Sequence, residues 1–275
     1  MVFGFPSTTA AGLKAISLLH SHGLCVAVNT ARTVQEVKQY CRAYGFAGGV
    51  AEYGGILWDA VRDREHILVN SESLEQLRQV RDAFRQIPGC FLNDDYQCSL
   101  RVFTYHDGRT APLPPLLAQD LLAGLKADRL RLHHTGLDTA VVAKETDKGT
   151  GLLSLLDFVG LPPADAVAIG DSEPDLAMFR VAGGSFAPGN VTCRREAQLL
   201  GCRIADRSYQ PGLLEIAKRI VHPQGGSCNC CKTIEASWPK DKNLFVSLLD
   251  AADEKPTSLL LRNLCTLSLL APFKK

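Results

Sequence analysis

Apolar positions recur along the chain at two spacings, and the switches between them mark the elements. From Ala10 to His22, Leu13, Ile16 and Leu19 fall at helical intervals, with Ser7-Thr8-Thr9 ahead as a cap and Gly23 behind as a stop. Met1 to Phe5 is a short apolar stretch that reads as a stub of strand. Leu24 to Val28 is an unbroken apolar run of buried-strand type, closed by the polar sequence Asn29-Thr30-Ala31-Arg32. A second helical stretch, Val34 to Tyr44, stops at Gly45, and Val50 to Leu57 reads as a strand with a turn. Helix and strand in alternation are the rhythm of a parallel α/β sheet.

The rhythm changes between about residues 62 and 144. A strand is expected at His66 to Val69, then a helix from Ser71 to Ile87 opened by a capping box at Ser71 and Leu74-Glu75. Strand-like runs follow near Cys90 to Leu92 and at Cys98 to Tyr105, then a helix from Pro112 to Lys126 and strands at Leu130 to His134 and Thr139 to Lys144. Helix-strand-strand, twice over, suits an inserted antiparallel sheet with helices on one face. From Gly149 the first rhythm resumes: helix Thr150 to Val159, strand Ala166 to Gly170, helix Leu176 to Val181, a short strand at Gly184, and helices at Arg194 to Leu200 and Gly212 to Val221. Composition shifts beyond His222-Pro223-Gln224-Gly225-Gly226, and the tail carries Cys228-Asn229-Cys230-Cys231 and an apolar helical run at about Ser258 to Leu270.

With 275 residues, 46% of them hydrophobic, the chain has room for one large domain or two modest ones. A formal net charge of +1 gives no support for nucleic acid or an acidic membrane as partner. No window reaches the roughly 18 continuous apolar residues of a membrane span, and residues 1–24 lack the pattern of a secretory signal. Ten scattered cysteines, most within apolar elements, suit reduced thiols and a cytoplasmic protein better than a disulfide framework.

Candidate chemistry centres on Gly170-Asp171-Ser172-Glu173-Pro174-Asp175, where an apolar run ends and acidic residues follow. Ligands of parallel sheets sit at the carboxyl ends of strands, and paired carboxylates suit a hard cation such as Mg²⁺. The same residues would also start a helix, with Asp171 or Ser172 as cap and Pro174, Glu173 and Asp175 in the first turn. Thr30 at a strand end and Lys148 before a helix add a hydroxyl and an ammonium, the groups that hold phosphate oxygens. Taken singly, they read as a turn threonine and a solvated lysine. In the tail, His222, Cys228, Cys230 and Cys231 could bind Zn²⁺, because Cys228 and Cys231 have ligand spacing and tetrahedral zinc takes four N or S donors; thiols on a surface loop are the other reading. Arg101, Tyr105 and His134 are positions in the inserted segment that could touch a substrate, and Asp94-Asp95 reads as a turn.

In this order, and with an insertion between Thr30 and Lys148, these features resemble the haloacid dehalogenase-like phosphatase superfamily. The likeness is to the branch with an inserted α/β cap, which includes sugar-phosphate, sucrose-phosphate, mannosyl-phosphoglycerate and phosphoglycolate phosphatases. Thr30 in Val28-Asn29-Thr30-Ala31-Arg32 matches the second motif, with Ala31 where relatives usually have Gly. Ala51-Glu52-Tyr53-Gly54-Gly55 looks like the stretch entering the cap, Lys148-Gly149 matches the third motif, and Gly170 to Asp175 matches the fourth, with Pro174 where Asn is usual. The resemblance covers about residues 7 to 222. It implies an α/β fold with a Rossmann-like parallel core over 1–60 and 145–222, an α+β cap over 61–144 and a mainly helical tail over 223–275. It also implies Mg²⁺-dependent hydrolysis of a small phosphorylated metabolite of sugar-phosphate type. Thr30, Ala31 and Lys148 would bind phosphate, Thr30 and Lys148 would take part in catalysis, and Asp171 and Asp175 would hold the metal.

One motif has no counterpart. The family's first motif, Asp-x-Asp-Gly-Thr, supplies the nucleophile and the acid/base on a central strand, whereas residues 1–35 contain neither Asp nor Glu. The expectation is a chain inactive as given, whether through truncation of the sequence or true loss of catalysis, with Mg²⁺ held weakly. Ser7, Thr8 and Thr9 lie in the region where a substitute group would have to stand. A missing central strand would also leave its neighbours with unpaired edges. The alternative is a non-catalytic phosphate-binding, metal-binding or protein-interaction member of the family.

Overall fold

Helix starts along this chain are fixed by short polar side chains that accept from backbone N–H groups otherwise left without partners. Thr9 accepts from Gly12, Thr33 and Glu36 form a reciprocal capping box, and Asp147 and Thr150 form another. The computed structural model describes residues 8–237. In chain order these form α1 (Ala10–Ser21), β1 (Val28–Asn29), α2 (Val34–Tyr44), β2 (Gly48–Ala51), β3 (Ile56–Asp59), β4 (Arg64–Ile67) and α3 (Ser71–Arg85). Next come β5 (Phe91–Leu92), β6 (Ser99–His106), β7 (Arg109–Ala111), α4 (Pro115–Gly124), β8 (Leu130–His134), β9 (Thr139–Ala143) and α5 (Lys148–Val159). The last are β10 (Val167–Ile169), α6 (Leu176–Val181), β11 (Gly184–Ala187), α7 (Arg194–Leu199), β12 (Arg203–Ile204), α8 (Tyr209–Val221) and α9 (Asn229–Ser237).

Two compact units divide these elements. One comprises Ala27–Ala166 and Pro174–Gly183. Its first sheet has the order β1-β2-β3-β4, with β1 and β2 parallel and the other pairs antiparallel. Its second sheet, β5-β6-β9-β8 with β7 on β6, is antiparallel throughout. A continuous apolar core joins Val34 and Val37 of α2, Ile56 and Trp58 of β3, Val80 and Phe84 of α3, and Leu100 and Val141 of the second sheet. The other unit comprises the described residues up to Val26, Val167–Glu173 and those from Gly184 on. There β10-β11-β12 form a parallel sheet, and α1 packs on α8 through Ala15, Leu18, Leu19 and Ala217. The fold is α/β, parallel strands alternating with helices, interrupted between β4 and α5 by an antiparallel α+β segment. No helix among the described residues is long and apolar enough to cross a membrane.

Several expected elements shift. The apolar run Leu24 to Val28 yields strand only at Val28 and Asn29, and Leu24, Cys25 and Ala27 are exposed. Apolar sequence makes a strand only where a ladder partner and a covered face exist, and β1 meets β2 over two residues alone. β1 and β10 each stand at the end of a sheet, with one edge free of strand partners among the described residues. The cap of α3 is Asn70, which accepts from Ser73 N–H at 2.8 Å, rather than the Ser71 box; Ser73 Oγ donates to Glu145 at 3.0 Å. The short strands β7 and β12 carry too few residues for an apolar pattern. The Met1 to Phe5 strand and the Ser258 to Leu270 helix lie outside the described residues.

The junction between the two sheets of the larger unit turns on Glu52, which is 0% exposed. Its carboxylate accepts from Gln97 N–H at 3.1 Å, Cys98 N–H at 2.8 Å and Ser99 Oγ at 2.9 Å. Burial pushes its pKa up, and the hydrogen bonds offset part of that. A carboxyl raised in the folded state contributes stability that is fully present below its unfolded pKa and is lost as pH rises through the folded value. Glu52→Gln, which does not titrate, should therefore cost more stability near pH ~4 than near pH ~8 in urea unfolding. An equal cost at both would show that Glu52 ionises normally.

Candidate functional site

The site begins where β1 ends. Thr30 N–H donates to Val50 O at 2.9 Å, and its own carbonyl accepts from Tyr53 N–H at 3.3 Å, so the residue is fixed on both sides of its backbone. Thr30 Oγ1 accepts from Arg32 N–H at 3.3 Å, a local turn that leaves the hydroxyl proton for another acceptor. Ala31 packs against Tyr53, Ala140 and Val142. Asn29 Nδ2 donates to the Lys148 carbonyl at 2.8 Å and ties the strand end to the first residue of α5.

Small residues let that helix start come so close. Gly54 has φ +94°, and a Cβ there would fall 2.0 Å from Asp147 O. A Cβ on Gly149 would fall 2.5 Å from Ala177 O, against α6. Asp147 Oδ1 accepts from Thr150 N–H at 2.8 Å, and Thr150 Oγ1 accepts from Asp147 N–H at 2.9 Å, which sets the first turn. Lys148 then points at Asp175: Nζ lies 2.5 Å from Oδ1, with the side chains only 11% and 4% exposed. Asp175 stands at the N-cap of α6 but makes no side-chain cap bond; its carboxylate goes to the lysine.

Asp171 lies at the end of β10, in the other compact unit, and is exposed. Its carbonyl accepts from Thr192 N–H at 2.9 Å and Thr192 Oγ1 at 3.3 Å, and Oδ2 accepts from Asn190 Nδ2 at 3.4 Å. Carboxylate oxygens are the donors that Mg²⁺ takes, so Asp171 fits that ion in chemistry. Asp175 offers the same atoms, with one of them already held by Lys148.

The other positions singled out in sequence are placed as follows. Arg101 is committed to an internal network: Nε and Nη2 donate to Asp138 Oδ2 at 2.9 and 2.5 Å, and Nη1 donates to Tyr53 OH at 2.8 Å. Tyr105 is exposed and sits edge-on to Phe91 and Phe103. His134 Nδ1 lies 3.0 Å from Thr139 Oγ1. In the tail, Cys228 Sγ and Cys231 Sγ are 3.7 Å apart and His222 Nε2 is 3.1 Å from Cys231 Sγ. Cys230 is exposed, with Sγ 3.7 Å from Ser21 O. Cys228 is pulled down to about 6, first by the Cys231 N–H and also by the side chain of His22. Sequence reading did not single out His22 or Asn29. For Asn29 the available signal was a polar amide closing an apolar run; for His22 none existed, because its neighbours in space lie some two hundred residues away.

Residues 119–198 match the family of haloacid dehalogenase-like hydrolases. A phosphoglycolate phosphatase of Methanopyrus kandleri is 31% identical over 182 residues, which cover 66% of this chain and 76% of that protein. A phosphoglycolate phosphatase of Haloarcula marismortui is 38% identical over 106 residues, covering 38% of this chain and 43% of that protein. Among solved structures, a phosphatase of the HAD enzyme superfamily from Bacteroides thetaiotaomicron superposes with TM-score 0.61 at 16% identity, over 80% of this chain and 90% of its own. This chain belongs to the haloacid dehalogenase-like hydrolase family.

A buried ion pair that loses one partner leaves an uncompensated charge, at a cost of about 3–5 kcal/mol. Lys148→Met should destabilise the fold by about that much, and Lys148→Met with Asp175→Leu should recover most of it in chemical denaturation. Additive losses in the double variant would mean that the pair is not coupled.

Proposed function

We propose that this chain carries the phosphate site of a Mg²⁺-dependent phosphatase acting on a small phosphate monoester. The observation that carries the reading is the nearly buried Lys148–Asp175 pair, fastened through the Lys148 carbonyl to the end of β1, where Thr30 stands. An ammonium and a hydroxyl at a strand end suit a phosphate dianion. Lys148 and Thr30 would hold the phosphate oxygens beside the backbone of Ala31, and Asp175 would aim the lysine. Asp171 and Asp175 each offer carboxylate oxygens of the kind Mg²⁺ takes, and that ion when bound would neutralise phosphate charge. The similar phosphoglycolate phosphatases favour a small phosphorylated metabolite as substrate. The described cysteines are all free thiols, which suits a reducing compartment such as the cytoplasm.

Hydrolysis in this family also needs a carboxylate nucleophile ahead of the first helix, and residues 1–35 hold none. The proposal is accordingly a chain that binds phosphate but does not turn it over as given. Two proteins test it: the chain as it stands, and a variant bearing an Asp-x-Asp-Gly-Thr strand ahead of α1. Both are assayed with generic phosphate monoesters with and without Mg²⁺, and inorganic phosphate binding is followed by calorimetry. Phosphate binding by both, with Mg²⁺-dependent turnover only in the second, is the expected result. Turnover by the chain as it stands overturns the role given to the missing carboxylates. Absence of phosphate binding in both overturns the site itself and favours a protein-interaction role.

A further inference from the structure

α1 and α8 lie side by side, and each ends in a histidine at its C-cap, His22 and His222. The two rings meet edge to face with centroids 5.4 Å apart. The chain then runs through Pro223 to Ser227 and brings Cys228 and Cys231, at the start of α9, against both rings. His22 Nε2 is 3.3 Å from Cys228 Sγ and 3.9 Å from Cys231 Sγ; His222 Nε2 is 3.1 Å from Cys231 Sγ; the sulfurs are 3.7 Å apart. All four donor atoms lie within 4.8 Å of one another.

These separations are close to the edges of a zinc tetrahedron. With Zn–S near 2.3 Å and Zn–N near 2.05 Å, tetrahedral angles place two sulfurs about 3.8 Å apart and a sulfur and a nitrogen about 3.6 Å apart. A disulfide would need sulfurs at about 2.05 Å, far inside the observed spacing. The ligand types agree as well, since two thiolates and two imidazoles in a tetrahedron select zinc. His22 is already oriented as a ligand: Nδ1 lies 2.8 Å from Leu18 O, so that nitrogen carries the proton and Nε2 presents its lone pair to the sulfurs. Cys231 is 8% exposed and the other three are half-buried, so a dication with two thiolates would leave the cluster neutral where solvent is partly excluded.

We propose that His22, His222, Cys228 and Cys231 form a structural zinc site that fastens α9 to the ends of α1 and α8. Four protein ligands close the coordination sphere, so the ion holds structure rather than activating water. Each of the two sulfurs that still carries a proton releases it to solvent as its Zn–S bond forms. His22 supplies the fourth ligand, and Cys230 stays outside. The proposal does not depend on the function of the phosphate-site residues.

The test is Co²⁺ binding to the full, reduced, untagged chain. One equivalent should give a thiolate-to-cobalt charge-transfer band and the visible bands of tetrahedral cobalt, and one equivalent of Zn²⁺ should bleach both. Cys230→Ser and Asp171→Asn should leave the spectrum unchanged, His22→Ala should weaken binding at least ~10-fold, and His22→Cys should raise the charge-transfer band by about half through a third thiolate. The wild-type spectrum decides even if a variant fails to fold. No charge-transfer band in the wild-type chain overturns the proposal, as does loss of the band in Cys230→Ser. A Cys228–Cys231 disulfide in freshly isolated, metal-free protein overturns it too.

Discussion

The first turn of α5 touches the sheet and α6 at backbone distance, and the arrangement of the candidate site depends on that approach. Side chains on Gly54 or Gly149 would drive a carbon into a carbonyl oxygen. Their absence lets Asp147 cap the helix while its carbonyl lies against the 52–54 turn, and it lets α6 sit close enough for Lys148 to reach Asp175. Charge is admitted to a nearly dry position because its counter-charge is already there, and because the backbone on each side is held by Asn29 and by the Asp147–Thr150 box.

A polar group anchored inside apolar packing recurs at Glu52. Two successive residues there, Glu52 and Tyr53, take left-handed backbone conformations. That turn carries the carboxylate to the N–H groups at the head of β6, and it carries Tyr53 to Arg101. The residues leading from the first sheet into the second are thus fixed by hydrogen bonds to charged groups, which are stronger than neutral ones and costly to break when buried.

Both sheets with parallel pairs end on a short strand with an open edge, β1 in one unit and β10 in the other. Open edges lose ladder bonds, and β1, two residues long, keeps only Val28 of the five-residue apolar run as strand. No carboxylate precedes Glu36 in the sequence.

Much of this protein is written locally in its sequence. The helical spacings from Val34 to Tyr44, the αL stop at Gly45, the strand from Leu130 to His134 and the helix from Leu176 to Val181 follow from side-chain period and capping chemistry within a few residues. Thr30, Lys148 and the Gly170–Asp175 loop were legible as motif residues because their spacing and order carry the family likeness. What the sequence could not state was partnership. Nothing local says that Asp175 answers Lys148 instead of capping its own helix, that Arg101 is held by Asp138 and Tyr53, or that Asn70 caps α3 in place of Ser71. The Cys228–Cys231 pair was visible as ligand spacing, whereas His22 enters from the opposite end of the described chain. Ligand sets, ion pairs and strand ladders are set by distance in space, and only the packing of α1 on α8 and of α5 against its sheet brings those groups within reach.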